Sequence, residues 1–181
     1  MSKKNKLFNT KVIHSGHKED KETGAVMPPI HLSSTFKQKS PGDFKYEYAR
    51  TNNPTREILE KLLAEIEEGK DAFAFSSGMA AINCLTDAME KEFHIICSDD
   101  VYGGTRRIFD KVKNVNQNIE ITYTDFNKED NWPGLIKNNT KMIWIETPSN
   151  PLLKISDINK IKKEISKDNI KIVCDNTFAS P

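Results

Sequence analysis

From position 54 onward the chain alternates between helical and strand-like hydrophobic patterns. Ile58, Leu59, Leu62, Leu63 and Ile66 recur on one helical face, with Pro54 in the first turn and Gly69 as the expected stop. Ala-Phe-Ala-Phe over 72–75 predicts a short apolar strand. Ser76-Ser77-Gly78 then turns into a second helix, with Met79, Ile82, Leu85 and Met89 on its buried face. Further strands are predicted over 94–97, 119–123, 142–145 and 170–174, the last delivering Asp175. Helices are predicted between them over 105–112, 127–137 and 155–165. Regular alternation predicts an α/β fold, a mostly parallel sheet with right-handed crossovers and helices on both faces. Ligands in such sheets sit outside the carboxyl ends of the strands. The candidate site therefore reads off four post-strand segments, 76–79, 99–105, 146–150 and 175–177.

The first 50 or so residues show no sustained periodicity, and Gly16, Gly24, Pro28, Pro29, Pro41 and Gly42 punctuate them. They predict an extended arm that needs another surface to lie on, which points to an oligomer. At 181 residues the chain is long enough for one domain with a core. Its 27 basic and 26 acidic residues leave a net charge of +1, without the basic excess of a nucleic-acid-binding protein. Lys3-Lys4-Asn5-Lys6 reads as a solvated tail. Cys84, Cys97 and Cys174 are odd in number, widely spaced and in apolar contexts. They are expected to be reduced core residues of a cytoplasmic protein, with no zinc-ligand spacing and no metal site. No run of about 18 apolar residues occurs, and no apolar segment follows the basic N-terminus, so neither a membrane span nor a secretory signal is expected.

Each post-strand segment has a chemical reading beside a plain one. At Ser76-Ser77-Gly78-Met79 a strand feeds a small-residue turn and a helix start, where free amides and the helix dipole suit a phosphate; plain packing also uses such turns. It is neither a Walker loop nor a Gly-x-Gly-x-x-Gly fingerprint, which argues against nucleotides. Tyr102, beside Gly103 and Gly104, could lie flat over a planar ring or simply cover core. Asp175, at the end of an apolar strand, could pair with a cationic ring nitrogen or serve as a turn aspartate. Glu146-Thr147-Pro148-Ser149-Asn150-Pro151 is stiffened by two prolines and would fix Asn150 at the sheet edge. Tyr48 and Arg50 offer a hydroxyl and a forked donor set for phosphate, though such pairs are common on surfaces.

Taken together and in order, these stretches resemble the pyridoxal-phosphate (PLP) dependent transsulfuration enzymes of cysteine and methionine metabolism: cystathionine γ-synthase, γ-lyase and β-lyase, methionine γ-lyase and related sulfhydrylases. The matching segments are Ile13-His14-Ser15-Gly16, Gly24-Ala25-Val26-Met27-Pro28-Pro29-Ile30, 48–56, Phe75-Ser76-Ser77-Gly78-Met79-Ala80-Ala81, 99–105, 144–151 and 173–181. The resemblance implies the aspartate-aminotransferase-like, type I fold of PLP enzymes, with residues 1–50 as an inter-subunit arm and 51–181 as the first part of the large domain. It implies that Gly78 and Met79, next to Ser77, give backbone donors to the PLP phosphate. Tyr102 would stack on the pyridine ring, Asp175 would pair with its nitrogen, and Thr177 would lie beneath it. Asn150 would touch the ring oxygen or a substrate carboxylate, and Glu146 would line the same pocket. Tyr48 and Arg50 would reach the phosphate in a neighbouring subunit's site, within a homotetramer built from dimers.

The resemblance has two departures. Asn52 stands where the family has glycine, and asparagine is expected to keep the turn through a left-handed backbone. The Schiff-base lysine and the C-terminal domain would lie beyond Pro181, and neither Lys154 nor Lys171 stands in the matching context. The expectation is an N-terminal fragment of an enzyme acting on sulfur amino acids, of γ-synthase or γ-lyase type, inactive by itself. That type is suggested by Pro28-Pro29-Ile30-His31-Leu32-Ser33-Ser34-Thr35 and Pro148-Ser149-Asn150-Pro151-Leu152-Leu153. The alternative is a non-catalytic stub that pairs with full-length subunits or a complementary chain.

Overall fold

The structure, a computed structural model, describes residues 8–128, 132–165 and 169–180. The basic run at Lys3-Lys4-Asn5-Lys6 and the terminal Pro181 lie outside the described residues. The chain divides into two compact units, one ending at Ser76 and one running from Ser77 to Ser180.

In the first unit, α1 (Phe8–His14) and α2 (Pro54–Ile66) flank a region with more structure than a bare extended arm. Phe36 N–H donates to Glu47 O (3.0 Å) and Ala49 N–H to Ser34 O (2.8 Å), a small antiparallel pairing closed by a turn at Pro41 and Gly42, where Gly42 has φ +84°. The paired segments are too short to leave a periodic signal. Asn53 caps α2 by accepting from Thr55 N–H (2.8 Å) ahead of Pro54. Gly69 N–H closes the far end on Ala64 O (2.8 Å), but the left-handed residue there is Glu68 (φ 54°). Gly16 (φ +81°) packs so tightly that an added Cβ would lie 2.5 Å from Ile58 O of α2. The turn at Asn52 forms with Asn52 N–H bonded to Tyr48 O (3.1 Å); Asn52 is not left-handed, contrary to the sequence expectation. Residues 72–75 do not form a strand. Phe73 and Phe75 are exposed, and Ala74 N–H donates to the Glu60 carboxylate (3.0 Å) rather than to a ladder. Strand conformation is stabilised by a partner strand, and among the described residues this segment has none.

The second unit carries α3 (Gly78–Asp87), β1 (His94–Ser98), α4 (Gly103–Ile108), a π turn (Phe109–Lys113), α5 (Asn114–Gln117), β2 (Glu120–Thr124), β3 (Thr140–Glu146), α6 (Ile158–Glu164) and β4 (Lys171–Asp175). The four strands are parallel in the order β2-β1-β3-β4. Period-two alternation buries both faces: Ile95, Cys97, Met142 and Trp144 pack with Phe109 on one side, and Ile96, Ile143 and Ile145 with Ile161 and Trp132 on the other. Phe109 meets Trp144 edge-on with ring centroids 5.2 Å apart.

Several sequence expectations change. The described part of 127–137 is one 3-10 turn, Trp132–Leu135, because Pro133 and Gly134 break a longer helix; residues 129–131 lie outside the described residues. Leu85 is exposed, so the buried face of α3 rests on Ile82. Cys97 is buried, but Cys84 and Cys174 are exposed, and none of the three is in a disulfide. Cys174 is exposed because β4 is an edge strand, paired on one side only. Among the described residues, no helix is long and apolar enough to cross a membrane.

Candidate functional site

The carboxyl ends of β1, β3 and β4 and the start of α3 surround one cavity of about 410 Å³. Ser77, Gly78, Met79, Tyr102, Glu146, Asn150, Asp175 and Thr177 line it, together with Pro148, which falls inside the candidate segment 146–150, and Ile82 and Phe178, for which sequence reasoning foresaw no site role. Ile82 reads as a core residue of a helix face, so nothing marked it as lining. Phe178 had a faint signal, since it directly follows Thr177. Tyr48 and Arg50 belong to the first unit, where the Arg50 guanidinium sits over the Tyr48 ring, 5.1 Å from its centroid. Among the described residues, no cluster of acidic, histidine and cysteine side chains is placed to hold a metal ion.

The start of α3 is a donor surface. Ser77 caps the helix, its Oγ accepting from Ala80 N–H (3.1 Å), while Gly78 and Met79 have no intrahelical acceptor. A Cβ added at Gly78 would meet nothing within 4 Å, so the space beside Gly78 is open, and Gly78 and Met79 both line the cavity.

Tyr102 is set from two sides. Its N–H donates to Glu146 Oε2 (2.8 Å). Its ring presses on Gly104, where an added Cβ would lie 2.4 Å from Tyr102 Cε1 and 2.9 Å from Met79 Sδ. Glycine at 104 is thus a packing requirement of this ring position, which sequence reasoning saw only as a loop glycine.

Glu146 and Asp175 end β3 and β4 and are direct register partners. Glu146 is buried, with 4% of its surface exposed, and burial raises its carboxyl above the ordinary value. The nearby Asp175 and Asp100 push the same way, and the amides of Tyr102 and Asn150 oppose them. Asp175 holds Thr177 through Oδ1, which accepts from Thr177 N–H (3.1 Å) and Oγ1–H (2.6 Å). Its second oxygen takes no hydrogen bond from the described residues. Among the described residues, no lysine lines the cavity. Lys154 is committed elsewhere, to Asp99 and Asp125, and Lys171 starts β4 at the opposite end of the strand.

Open helix amides, a tyrosine face and a carboxylate can take an anion, a flat ring and a cation side by side. That combination defines the class, a cofactor-dependent enzyme domain of the parallel α/β type. The chain belongs to the PLP-dependent enzymes of cysteine and methionine metabolism, since the family model described as "Cys/Met metabolism PLP-dependent enzyme" matches residues 9–181. It is 45% identical over 175 residues to cystathionine beta-lyase of Coxiella burnetii, covering 96% of this chain and 45% of that protein. It is 48% identical over 175 residues to cystathionine gamma-synthase of Mycobacterium leprae, covering 95% and 45%. Among solved structures it is similar to metB from Corynebacterium glutamicum, with a TM-score of 0.91 and 42% identity over 98% of this chain and 46% of that one. It is also similar to cystathionine gamma-lyase from Lactobacillus plantarum complexed with L-serine, with a TM-score of 0.90 and 44% identity over 97% and 46%. The chain thus spans about half the length of the curated relatives it matches.

Proposed function

We propose that the cavity is a PLP cradle and that the protein acts on sulfur amino acids in transsulfuration, by γ-synthase or γ-lyase chemistry. The observation that carries this is the convergence of α3's start, Tyr102 and Asp175 on one cavity inside a single unit. The residues fit the cofactor. Gly78 and Met79 offer free amides to its phosphate, with the positive end of the helix dipole behind them. Tyr102 offers a ring face held in place by Gly104 and Glu146. Asp175 keeps one carboxylate oxygen for a protonated ring nitrogen, and Thr177, tied to the other, lies against the ring. Asn150 takes the ring oxygen or a substrate carboxylate. Bound there, PLP supplies an electron sink for a carbanion on the amino acid.

Residues 1–50 act as an inter-subunit arm and 51–181 as the first part of the PLP-binding domain. Tyr48 and Arg50 serve the phosphate of a neighbouring subunit's site in a homotetramer. The chain alone turns nothing over, because among the described residues no lysine lines its cavity to anchor the cofactor and move protons. Two assays with added PLP test this: release of keto acid and thiol from cystathionine, and formation of cystathionine from cysteine and a γ-activated homoserine. The 181-residue chain is expected to give neither product, and a longer form carrying the anchoring lysine one of them. Turnover by the short chain would overturn its assigned inactivity. A longer form active only on amino acids without sulfur or a γ-leaving group would overturn the substrate reading.

A further inference from the structure

The loop after β3, which carries Asn150, is tied to the loops after β1 and β2 by side chains that do not line the cavity. Asp100 Oδ2 accepts from Ser149 Oγ–H and from Leu152 N–H (2.9 Å). Ser149 Oγ accepts in turn from Lys154 N–H (2.9 Å), and Ser149 N–H donates to Lys154 O (3.0 Å), so the chain between them closes on itself. The Lys154 ammonium then reaches both carboxylate oxygens of Asp99 (2.9 Å each) and Asp125 Oδ2 (2.9 Å). Leu153 is held left-handed at φ 55°, a conformation that an aliphatic residue keeps only when its surroundings impose it. The clamp is charge-assisted at each tie. Lys154 holds Asp125 below the ordinary carboxylate value, and without Lys154 the Asp99 and Asp125 carboxylates would be left without the cation they share.

We propose that Asp100 and Lys154 are positioning residues for the cofactor site, a role that rests on the cofactor reading above: they set the loop so that Asn150 faces the cavity before any ligand arrives. Neither lines the cavity, and the loop they brace is the one that carries Asn150, so Asn150 is the main route by which they act on binding.

The test is an equilibrium titration of the 181-residue chain with PLP, followed by quenching of tryptophan fluorescence, alongside thermal melting. Asp100→Ala and Lys154→Met are expected to weaken PLP binding about tenfold each, the loss that follows from charge-assisted bonds worth roughly 1.5 kcal/mol. Asp100→Asn and Lys154→Arg, which keep an acceptor or a cation, are expected to stay within about threefold of wild type, some 0.6 kcal/mol. The decisive readout is coupling: Asp100→Ala combined with Asn150→Ala is expected to bind no more weakly than Asn150→Ala alone. Additive losses in that double variant would overturn the proposal, as would wild-type affinity in Asp100→Ala and Lys154→Met. Should those two fail to fold, Ser149→Ala, which removes the hydroxyl that donates to Asp100, carries the same coupling test with Asn150→Ala. A wild-type chain that binds no PLP would overturn the cofactor reading together with this inference, whereas wild-type binding with unchanged variants would overturn this inference alone.

Discussion

At the scale of single residues, Gly104 and Glu146 do more than their letters advertise. A methyl group at 104 would have to share space with the Tyr102 ring and Met79 sulfur, and the ring is the part free to move. Gly104→Ala is therefore expected to lower PLP affinity between about twofold and about tenfold, the scale of a lost aromatic contact worth about 0.5–1.5 kcal/mol. Its melting temperature should change little, and titration and melting on the same sample check both. Glu146 makes a prediction about pH. Its carboxyl titrates above its ordinary value of 4.5 because it is buried beside Asp175. The folded chain thus holds a proton that the unfolded chain has released, and stability falls as pH rises from about 4.5 through the raised value. Glu146→Gln keeps an acceptor for Tyr102 N–H and removes the titration. Its melting temperature should fall less than wild type's over that interval, and parallel pH profiles would contradict the assignment. Asp175 and Tyr102 were legible in the sequence because position at a strand end is enough to nominate them. The bracing by Glu146, Asp100 and Lys154 was not, because it depends on register and loop contacts between segments far apart in the chain, as in the bond between Tyr102 and Glu146, and the role of Gly104 shows only once the Tyr102 ring and Met79 are placed around it.

At the scale of elements, the alternating pattern from β1 to β4 was legible because both sheet faces are buried and the period-two signal is strong. It failed where another rule overrode local preference. Residues 72–75 are apolar enough for a strand, yet Phe73 stays 76% exposed without a partner to pair with. Trp132–Leu135 is only one turn because it contains Pro133 and Gly134. The antiparallel pairing around Tyr48 was missed because only its turn residues carry a signal. The start of α3 combines stability with function. Ser77→Ala removes the side-chain cap on Ala80 N–H and should destabilise the unit by about 1 kcal/mol, measurable by denaturant unfolding. An unchanged unfolding midpoint would mean the cap is not formed.

At the scale of the whole molecule, the sheet presents β4 as an edge in which Cys174 and Lys171 are exposed and Ile172 and Val173 only partly covered. Strands at the end of a sheet, as β4 is among the described residues, can recruit further strands. Sedimentation velocity should show association that grows with concentration, whereas a monomer at all concentrations would contradict this reading of the edge. We propose something narrower for the second unit, that it forms a cradle for a phosphorylated pyridine aldehyde whose phosphate would sit on the amides of α3. The most direct measurement is a pair of equilibrium titrations on the 181-residue chain, one with PLP and one with pyridoxal, which lacks the phosphate. Saturable PLP binding with pyridoxal at least about tenfold weaker is the predicted result, since charge-assisted bonds to an anion are worth roughly 1.5 kcal/mol or more. Equal affinities, or no saturable binding of PLP, would contradict it.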